Sequence, residues 1–60
     1  MDVGDWLRGL GLGQFAETFR ENEIDATILP NLTIDDLREM GVGTVGARRK
    51  IMAAIADLSR

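Results

Sequence analysis

The stretch that decides the fold spans residues 32–50 and reads LTIDDLREMGVGTVGARRK. Its first residues carry two signals for the start of a helix. Thr33 and Asp36 have the spacing of a capping box, in which the threonine hydroxyl accepts a hydrogen bond from the aspartate amide. Leu32 and Leu37 have the spacing of a hydrophobic staple across the same start. The sequence therefore predicts a short helix that begins directly after Thr33.

A longer helix follows within the same stretch. Gly41 suits the left-handed position that ends the preceding helix, and Val42 can contact Leu37 across that end. Thr44 then caps the last helix, which is predicted from Val45 to Leu58. Apolar residues at helical spacing predict its buried stripe, which consists of Ile51, Ile55 and Leu58 and is flanked by Met52 and Ala54.

Residues before this stretch predict three further short helices. Asp2 can cap the first one, and Gly11 suits the left-handed position at its end. Its apolar positions, at helical spacing, are Val3, Trp6, Leu7 and Leu10. A second helix carries Leu12, Phe15, Ala16 and Phe19 and ends at Asn22. Asp25 can cap a third helix, Ala26 to Leu29, which Pro30 stops.

No strand-like alternation of apolar and polar residues occurs. The prediction is therefore an all-α, compact five-helix bundle with four short helices and a longer C-terminal helix. Its predicted core consists of Trp6, Phe15, Phe19, Leu37, Ile51 and Ile55. We expect one domain over residues 1–60, with a core at about 3–58.

The composition argues against catalysis. The chain has no cysteine, histidine or tyrosine, so it lacks a thiol nucleophile, a thiolate metal site and the commonest general base. Ser59 has no base to activate it. Asp2 and Asp5 follow Met1 where a signal peptide would carry basic residues, and no apolar run is long enough to span a membrane. We expect a cytoplasmic, non-enzymatic domain without cofactor, metal or small-molecule ligand.

Two motifs resemble ligand sites but lack the required context. The run GVGTVG matches G-x-G-x-x-G, yet the dinucleotide motif needs a preceding strand, and here a helix is predicted. Glu21, Glu23 and Asp25 alternate like the first ligands of a calcium loop. That loop needs glycine at its sixth position and glutamate at its twelfth. This chain has Ala26 and Leu32 there, so neither site is expected.

Charge is divided unevenly along the chain, whose net charge is −3. Residues 1–40 carry nine acids against three arginines, net −6, and residues 41–60 carry four cations against one acid, net +3. Arg48, Arg49 and Lys50 lie in the first turns of the last helix, where the macrodipole is already positive. The pattern is typical of an ordinary solvated surface or of two complementary binding faces, and we favour the second.

The pattern as a whole resembles the sterile alpha motif (SAM) domain, a five-helix interaction module. The likeness extends from Val3 to Leu58 and depends on the combined order of many residues. These are Trp6-Leu7, Leu10-Gly11-Leu12, Gln14-Phe15, Phe19, Glu21-Asn22, Ile24-Asp25, Leu29, Leu32-Thr33, Asp36-Leu37, Met40-Gly41-Val42, Gly46, Arg48 to Ile51, and Ala54-Ile55. A start like Met1-Asp2-Val3 is similar to copies that precede bacterial class III adenylate or guanylate cyclase domains. This narrower resemblance implies the N-terminal module of a larger signalling protein.

The resemblance also implies a mode of association. Many SAM domains bind head to tail, with the start of the last helix (the end-helix face) against an acidic surface of the middle helices (the mid-loop face). By position, the end-helix face here is Val45, Gly46, Arg48, Arg49 and Lys50. The mid-loop face is Glu21, Glu23, Asp25, Ile34, Asp35, Asp36 and Glu39. Ile34 departs from the polar residue usual in the family, and either forms an apolar centre for this face or packs inward.

The implied partner is an identical copy or another SAM domain. The alternative, also known in the family, is RNA binding through the basic start of the last helix. A pI of 4.6 argues against that alternative, because nucleic-acid-binding domains usually exceed about 9. A lipid-binding role lacks the basic amphipathic stripe that it needs, so no membrane partner is expected.

Overall fold

Every regular element of the chain is helical. A computed structural model describes all 60 residues and contains four α-helices. They are α1 (Val3–Gly9), α2 (Ala16–Glu21), α3 (Ile34–Glu39) and α4 (Val45–Leu58). Two single-turn 3-10 helices, Gly13–Phe15 and Leu29–Asn31, precede α2 and α3. The all-α prediction is confirmed, and α4 is the longest helix as expected, but the count of five helices is not matched.

The difference lies in the predicted third helix. Asp25 does cap this segment, since its Oδ1 accepts hydrogen bonds from the amides of Thr27 at 2.9 Å and Ile28 at 3.2 Å. Residues 26–28 nevertheless form only a turn, which runs into the 3-10 helix Leu29–Asn31. Pro30 lies inside that 3-10 helix rather than after its end. The amide of Leu29 does donate to the Asp25 carbonyl at 3.1 Å, which closes one α-helical turn. The next donor would be the amide of residue 30, and proline has no amide hydrogen, so the turn does not continue as an α-helix.

Glycine ends two of the helices as predicted. Gly11 follows α1 with φ of 77°, and the amide of Leu12 donates to the carbonyl of Leu7 at 2.8 Å. Gly41 follows α3 with φ of 92°, and the amide of Val42 donates to the carbonyl of Leu37 at 3.0 Å. Both are Schellman ends, in which the residue after the glycine packs back on the helix.

Helix α2 ends in the same way without glycine. The amide of Ile24 donates to the carbonyl of Phe19 at 2.9 Å, as in the other two Schellman ends. The left-handed position is taken by Glu23, the one non-glycine residue with positive φ, at 57°. Asn22 is the helix cap, as predicted. A side chain in this conformation costs roughly 1–2 kcal/mol, which glycine avoids.

The core lies between the four helices. Its nine buried residues are Leu7, Leu12, Phe19, Leu29, Leu32, Leu37, Val42, Ile51 and Ile55. Trp6 and Phe15, predicted as core, are only partly buried and pack against this cluster. Leu10 and Leu58 are 37% and 47% exposed, so the buried position predicted for Leu58 is wrong. No helix combines the length and apolar character needed to cross a membrane.

Leu58 differs because it lies at the very end of α4. The stripe of this helix is anchored by Ile51 and Ile55, which are buried. Leu58 borders an open hollow that it shares with Met1, Ala26 and Pro30, and its side chain stays 47% exposed there. Helical spacing gives the direction of a side chain but not the extent of the partner it faces.

Candidate protein-interaction faces

The start of α4 presents an exposed surface with few side-chain atoms. The Thr44 hydroxyl caps the helix by accepting a hydrogen bond from the Ala47 amide at 3.3 Å. Val45 is 59% exposed, although a valine is costly to leave in water. Gly46 is exposed as well, and a Cβ atom built on it would meet nothing within 4 Å. The first turn of α4 therefore offers an apolar side chain beside bare backbone.

Cations at this start differ from those elsewhere in the chain. The other four arginines each form an exposed ion pair with an acid three residues earlier. The pairs are Arg8–Asp5, Arg20–Glu17, Arg38–Asp35 and Arg60–Asp57. The Arg20 hydrogen bond also lowers the pKa of Glu17. Three cations, Arg48, Arg49 and Lys50, form no ion pair, so the positive charge at the start of α4 is not neutralised within the domain.

These three cations do not share one environment. Arg49 and Lys50 are exposed, as a contact role requires. Arg48 is half-buried instead, and its Nη1 donates a 2.8 Å hydrogen bond to the backbone carbonyl of Val42. This bond was not foreseen from the sequence, where Arg48 was assigned to an exposed helix start.

Several acids of the predicted mid-loop face already have partners inside the domain. Asp35 pairs with Arg38 at 3.1 Å. The predicted capping box is present, with Asp36 Oδ2 accepting from the Thr33 amide at 3.0 Å. Asp25 accepts a hydrogen bond from the Thr27 hydroxyl at 2.6 Å, which lowers the pKa of the Asp25 carboxyl. Substituting any of these acids would disturb local structure as well as surface charge.

Three glutamates of the same face are uncommitted. Glu21, Glu23 and Glu39 are exposed, and their carboxylates form no hydrogen bond or ion pair within the domain. Glu39 lies in the last turn of α3, where the helix dipole disfavours an acid. It is therefore the counterpart of the cations at the start of α4. Glu39 and the exposed cations Arg49 and Lys50 each oppose the dipole of their own helix, and all three are available to a partner.

A groove lies between the end of α2 and α3, within the mid-loop face. Eight residues line it: Asn22, Ile24, Ile28, Asn31, Leu32, Asp36, Glu39 and Met40. Four of these are apolar, and Ile28 is 41% exposed. Asp36 and Glu39 add an acidic edge. This acidic groove with an apolar floor was not predicted, because it combines residues from a turn and a helix that lie far apart in sequence.

Ile34 lies outside the groove. It is half-buried and is not among the groove-lining residues. The sequence left open whether Ile34 forms an apolar centre of the face or packs inward. The half-buried side chain is neither fully exposed nor fully packed in the core. Ile28 and Met40 supply the apolar surface beside Glu39 instead. In the sequence, the only sign of a role for Ile28 is its position three residues after the capping Asp25, within the predicted third helix.

No group of three or more histidine, cysteine, aspartate or glutamate residues is arranged to hold a metal ion. Another hollow lies between α1 and α2 and is bordered by charges of both signs, including Asp2, Arg8, Glu17 and Arg20. Arg8 and Arg20 are already paired there. The exposed charges and apolar residues of the two faces offer recognition by charge and apolar contact.

Comparison with known proteins agrees with this description. The rat protein "SH3 and multiple ankyrin repeat domains protein 2" is 51% identical over 57 residues, covering 95% of this chain and 4% of that protein. Mouse "Protein bicaudal C homolog 1" is 42% identical over 59 residues, covering 98% of this chain and 6% of that protein. The chain thus spans only a small fraction of these relatives.

Neither of these animal relatives is named as a cyclase. The comparisons therefore lend no support to the narrower resemblance to copies linked to bacterial cyclases. A family model described as "SAM domain (Sterile alpha motif)" matches residues 1–59. The chain belongs to the SAM domain family of protein-interaction modules.

Proposed function

We propose that this domain assembles head to tail, with the end-helix face of one molecule docked on the mid-loop face of the next. The partner is a second copy of this chain or another SAM domain. Larger relatives contain many times the length of this chain, so assembly would organise a longer cytoplasmic protein. A nucleotide cyclase as that protein rests on the sequence resemblance alone.

The observation that carries the proposal is the distribution of unpaired charge. Arg49 and Lys50 are exposed cations without an internal partner, whereas arginines elsewhere are paired. Glu23 and Glu39 are exposed acids that likewise lack one. Complementary charges of this kind steer association and fix its register. Each set supplies the partner that the other lacks.

Charge alone would not hold such a contact. An exposed ion pair contributes about 0–1 kcal/mol, and salt screens it. Val45 on the end-helix face and Ile28 in the groove are the exposed apolar residues that can form a dry centre between the charges. The open space over Gly46 allows the partner backbone to approach closely. We therefore expect association that weakens with salt but persists.

The two faces are different surfaces of one molecule, so the contact is heterologous. Such contacts propagate into rings or filaments unless one face is blocked. Sedimentation velocity over a concentration series tests this directly. The proposal predicts species that keep growing as concentration rises, and smaller but still present species at high salt. A chain that remains monomeric throughout, or that stops at a symmetric dimer, contradicts it.

RNA binding is the second candidate, favoured by the same exposed cations, Arg49 and Lys50. Two exposed cations and an acidic remainder supply few phosphate contacts. The same sedimentation experiment with an added RNA hairpin separates the candidates. Head-to-tail assembly predicts growth without RNA. A shift that occurs only with RNA, and that Arg49→Glu removes, would support the second candidate instead.

Two variants each alter one face and leave the other intact. The donor carries Glu39→Lys, which alters the mid-loop face and leaves the end-helix face intact. The acceptor carries Gly46→Asp, which alters the end-helix face and leaves the mid-loop face intact. Glu39 has no structural partner to lose, unlike Asp36, whose replacement would break the capping box.

A further inference from the structure

Arg48 makes an unusual bond for this domain. Fourteen of the side-chain hydrogen bonds join residues no more than four positions apart, and these stabilise single turns. The bond from Arg48 Nη1 to the Val42 carbonyl, at 2.8 Å, spans six positions. Apart from the Thr44 cap, it is the one side-chain hydrogen bond that joins α4 to the segment leaving α3.

Val42 is a fixed point to which α4 can be tied. Its side chain is completely buried, and its amide donates to the Leu37 carbonyl at 3.0 Å. Its carbonyl accepts the Arg48 bond. Both polar groups of this backbone unit are therefore engaged, one with α3 and the other with α4. Two residues, Gly43 and Thr44, complete the link to Val45.

The first turns of α4 have little else to hold them. Its first buried residue is Ile51, and within 45–50 only Ala47 and Arg48 are even half-buried. Gly43 and Gly46 lower the stiffness of the backbone on either side of the cap. Helix ends with few buried contacts open more readily than helix centres. The end-helix face lies on this weakly held segment.

We propose that Arg48 is a positioning residue, which holds the start of α4 against Val42 and so presents Val45, Arg49 and Lys50 to the partner. This inference rests on the proposed head-to-tail function, within which Arg48 was first assigned as a contact. Arg48 is half-buried and its guanidinium is bonded to a backbone carbonyl of its own domain, whereas the exposed Arg49 and Lys50 are free to reach a neighbour. Arg48, a cation at a helix start where the macrodipole is already positive, therefore has a structural role.

The first readout is amide hydrogen exchange in the isolated donor, where no partner is bound. The Ala47 amide, which donates to Thr44, reports on the first turn of α4. Arg48→Met retains much of the apolar stem of the side chain but removes the guanidinium that donates to Val42. Loss of one charged hydrogen bond predicts that exchange at the Ala47 amide becomes about tenfold faster. The matched variant Arg49→Met should leave this exchange unchanged.

The second readout is calorimetric affinity between donor and acceptor. Arg48→Met in the donor should raise the Kd by about tenfold. The same substitution in the acceptor should leave the Kd unchanged, because the acceptor contributes the other face. Arg48→Lys retains a shorter cationic side chain that can still donate a hydrogen bond, and it should fall between wild type and Arg48→Met on both readouts. If the methionine variant does not fold, the lysine variant replaces it in the test.

Several outcomes overturn the inference. If Arg48→Met weakens binding while Ala47 exchange is unchanged, Arg48 is a contact residue. If it weakens binding equally from either side, the loss is global rather than positional. If neither readout moves, the bond to Val42 has no role in presentation. If unmodified donor and acceptor do not bind each other, the proposed function fails, and the inference fails with it.

Discussion

Gly46→Asp should stabilise the isolated domain while it prevents assembly. Gly46 is the second residue of α4, and nothing lies within 4 Å of the position that a Cβ would take. Aspartate is a better helix former than glycine by about 0.3 kcal/mol, and an acid near a helix start gains about 0.3–1 kcal/mol. Helical spacing also brings it beside Arg49 and Lys50, worth a few tenths of a kcal/mol.

These contributions sum to about 1 kcal/mol of added stability, or a rise in Tm of about 4–8 °C for a domain of this size. The melt should be recorded where the wild-type chain is monomeric, because assembly itself raises the apparent Tm. The same carboxylate would face Glu39 of the neighbouring molecule across the proposed contact. Like charges placed together cost several kcal/mol, so sedimentation velocity should show only monomer.

The matched control is Gly9→Ala, at the last residue of α1. Gly9 is also exposed with open space around it, but it lies outside both faces. This control should change assembly little. The reasoning is refuted if Gly46→Asp lowers the Tm, which would mean that the start of α4 is not open, or if the variant assembles as the wild type does.

Three other predictions follow from single residues. Glu23→Gly should raise unfolding free energy by about 0.5–1 kcal/mol by relieving the left-handed backbone, and it should weaken assembly by removing a carboxylate; a variant that is less stable in a denaturant melt contradicts this. Phe19→Ala should cost about 3–5 kcal/mol, and Trp6→Ala about half as much since Trp6 is only partly buried; equal losses would contradict the burial. Because folding lowers the pKa of Asp25, its carboxylate stabilises the fold above its ordinary pKa, and this is lost as pH falls through the lowered value. The Tm gap between wild type and Asp25→Ala should therefore shrink as pH falls to about 2, and a constant gap would exclude this role.

Helix starts and glycine ends could be predicted because their signals are local. Thr33 with Asp36, and Thr44 alone, form the predicted caps. Gly11 and Gly41 adopt the predicted left-handed backbone. Each of these features depends on residues within about one turn, and residue type at a fixed spacing largely determines it.

Features that depend on competition or on distance could not be predicted. Glu23 occupies a glycine-like conformation, and nothing about glutamate indicates this. The segment at 26–31 has a capping aspartate and apolar residues, so it resembles a helix, but Pro30 tips it toward a turn and a 3-10 helix. Exposure of Leu58 depends on how far neighbouring elements extend.

The candidate faces could likewise be predicted only in part. The charge imbalance between the two parts of the chain is visible in the sequence, and it is the basis on which the acids and cations of the two candidate faces were predicted. Which charges are free could not be known, because Arg48 looks like a surface charge until its bond to the Val42 carbonyl is seen. The groove beside Glu39 depends on the packing of Ile28 and Met40, which no local pattern contains.

The central claim is that two different faces of this domain bind each other. An equal mixture of donor (Glu39→Lys) and acceptor (Gly46→Asp), compared in sedimentation velocity with each variant alone, tests it most directly. Each variant alone should remain monomeric near 6.6 kDa. The mixture should form a dimer that does not grow with concentration, because one productive contact remains. A mixture that stays monomeric where the wild type assembles, or that grows beyond the dimer, would contradict the account.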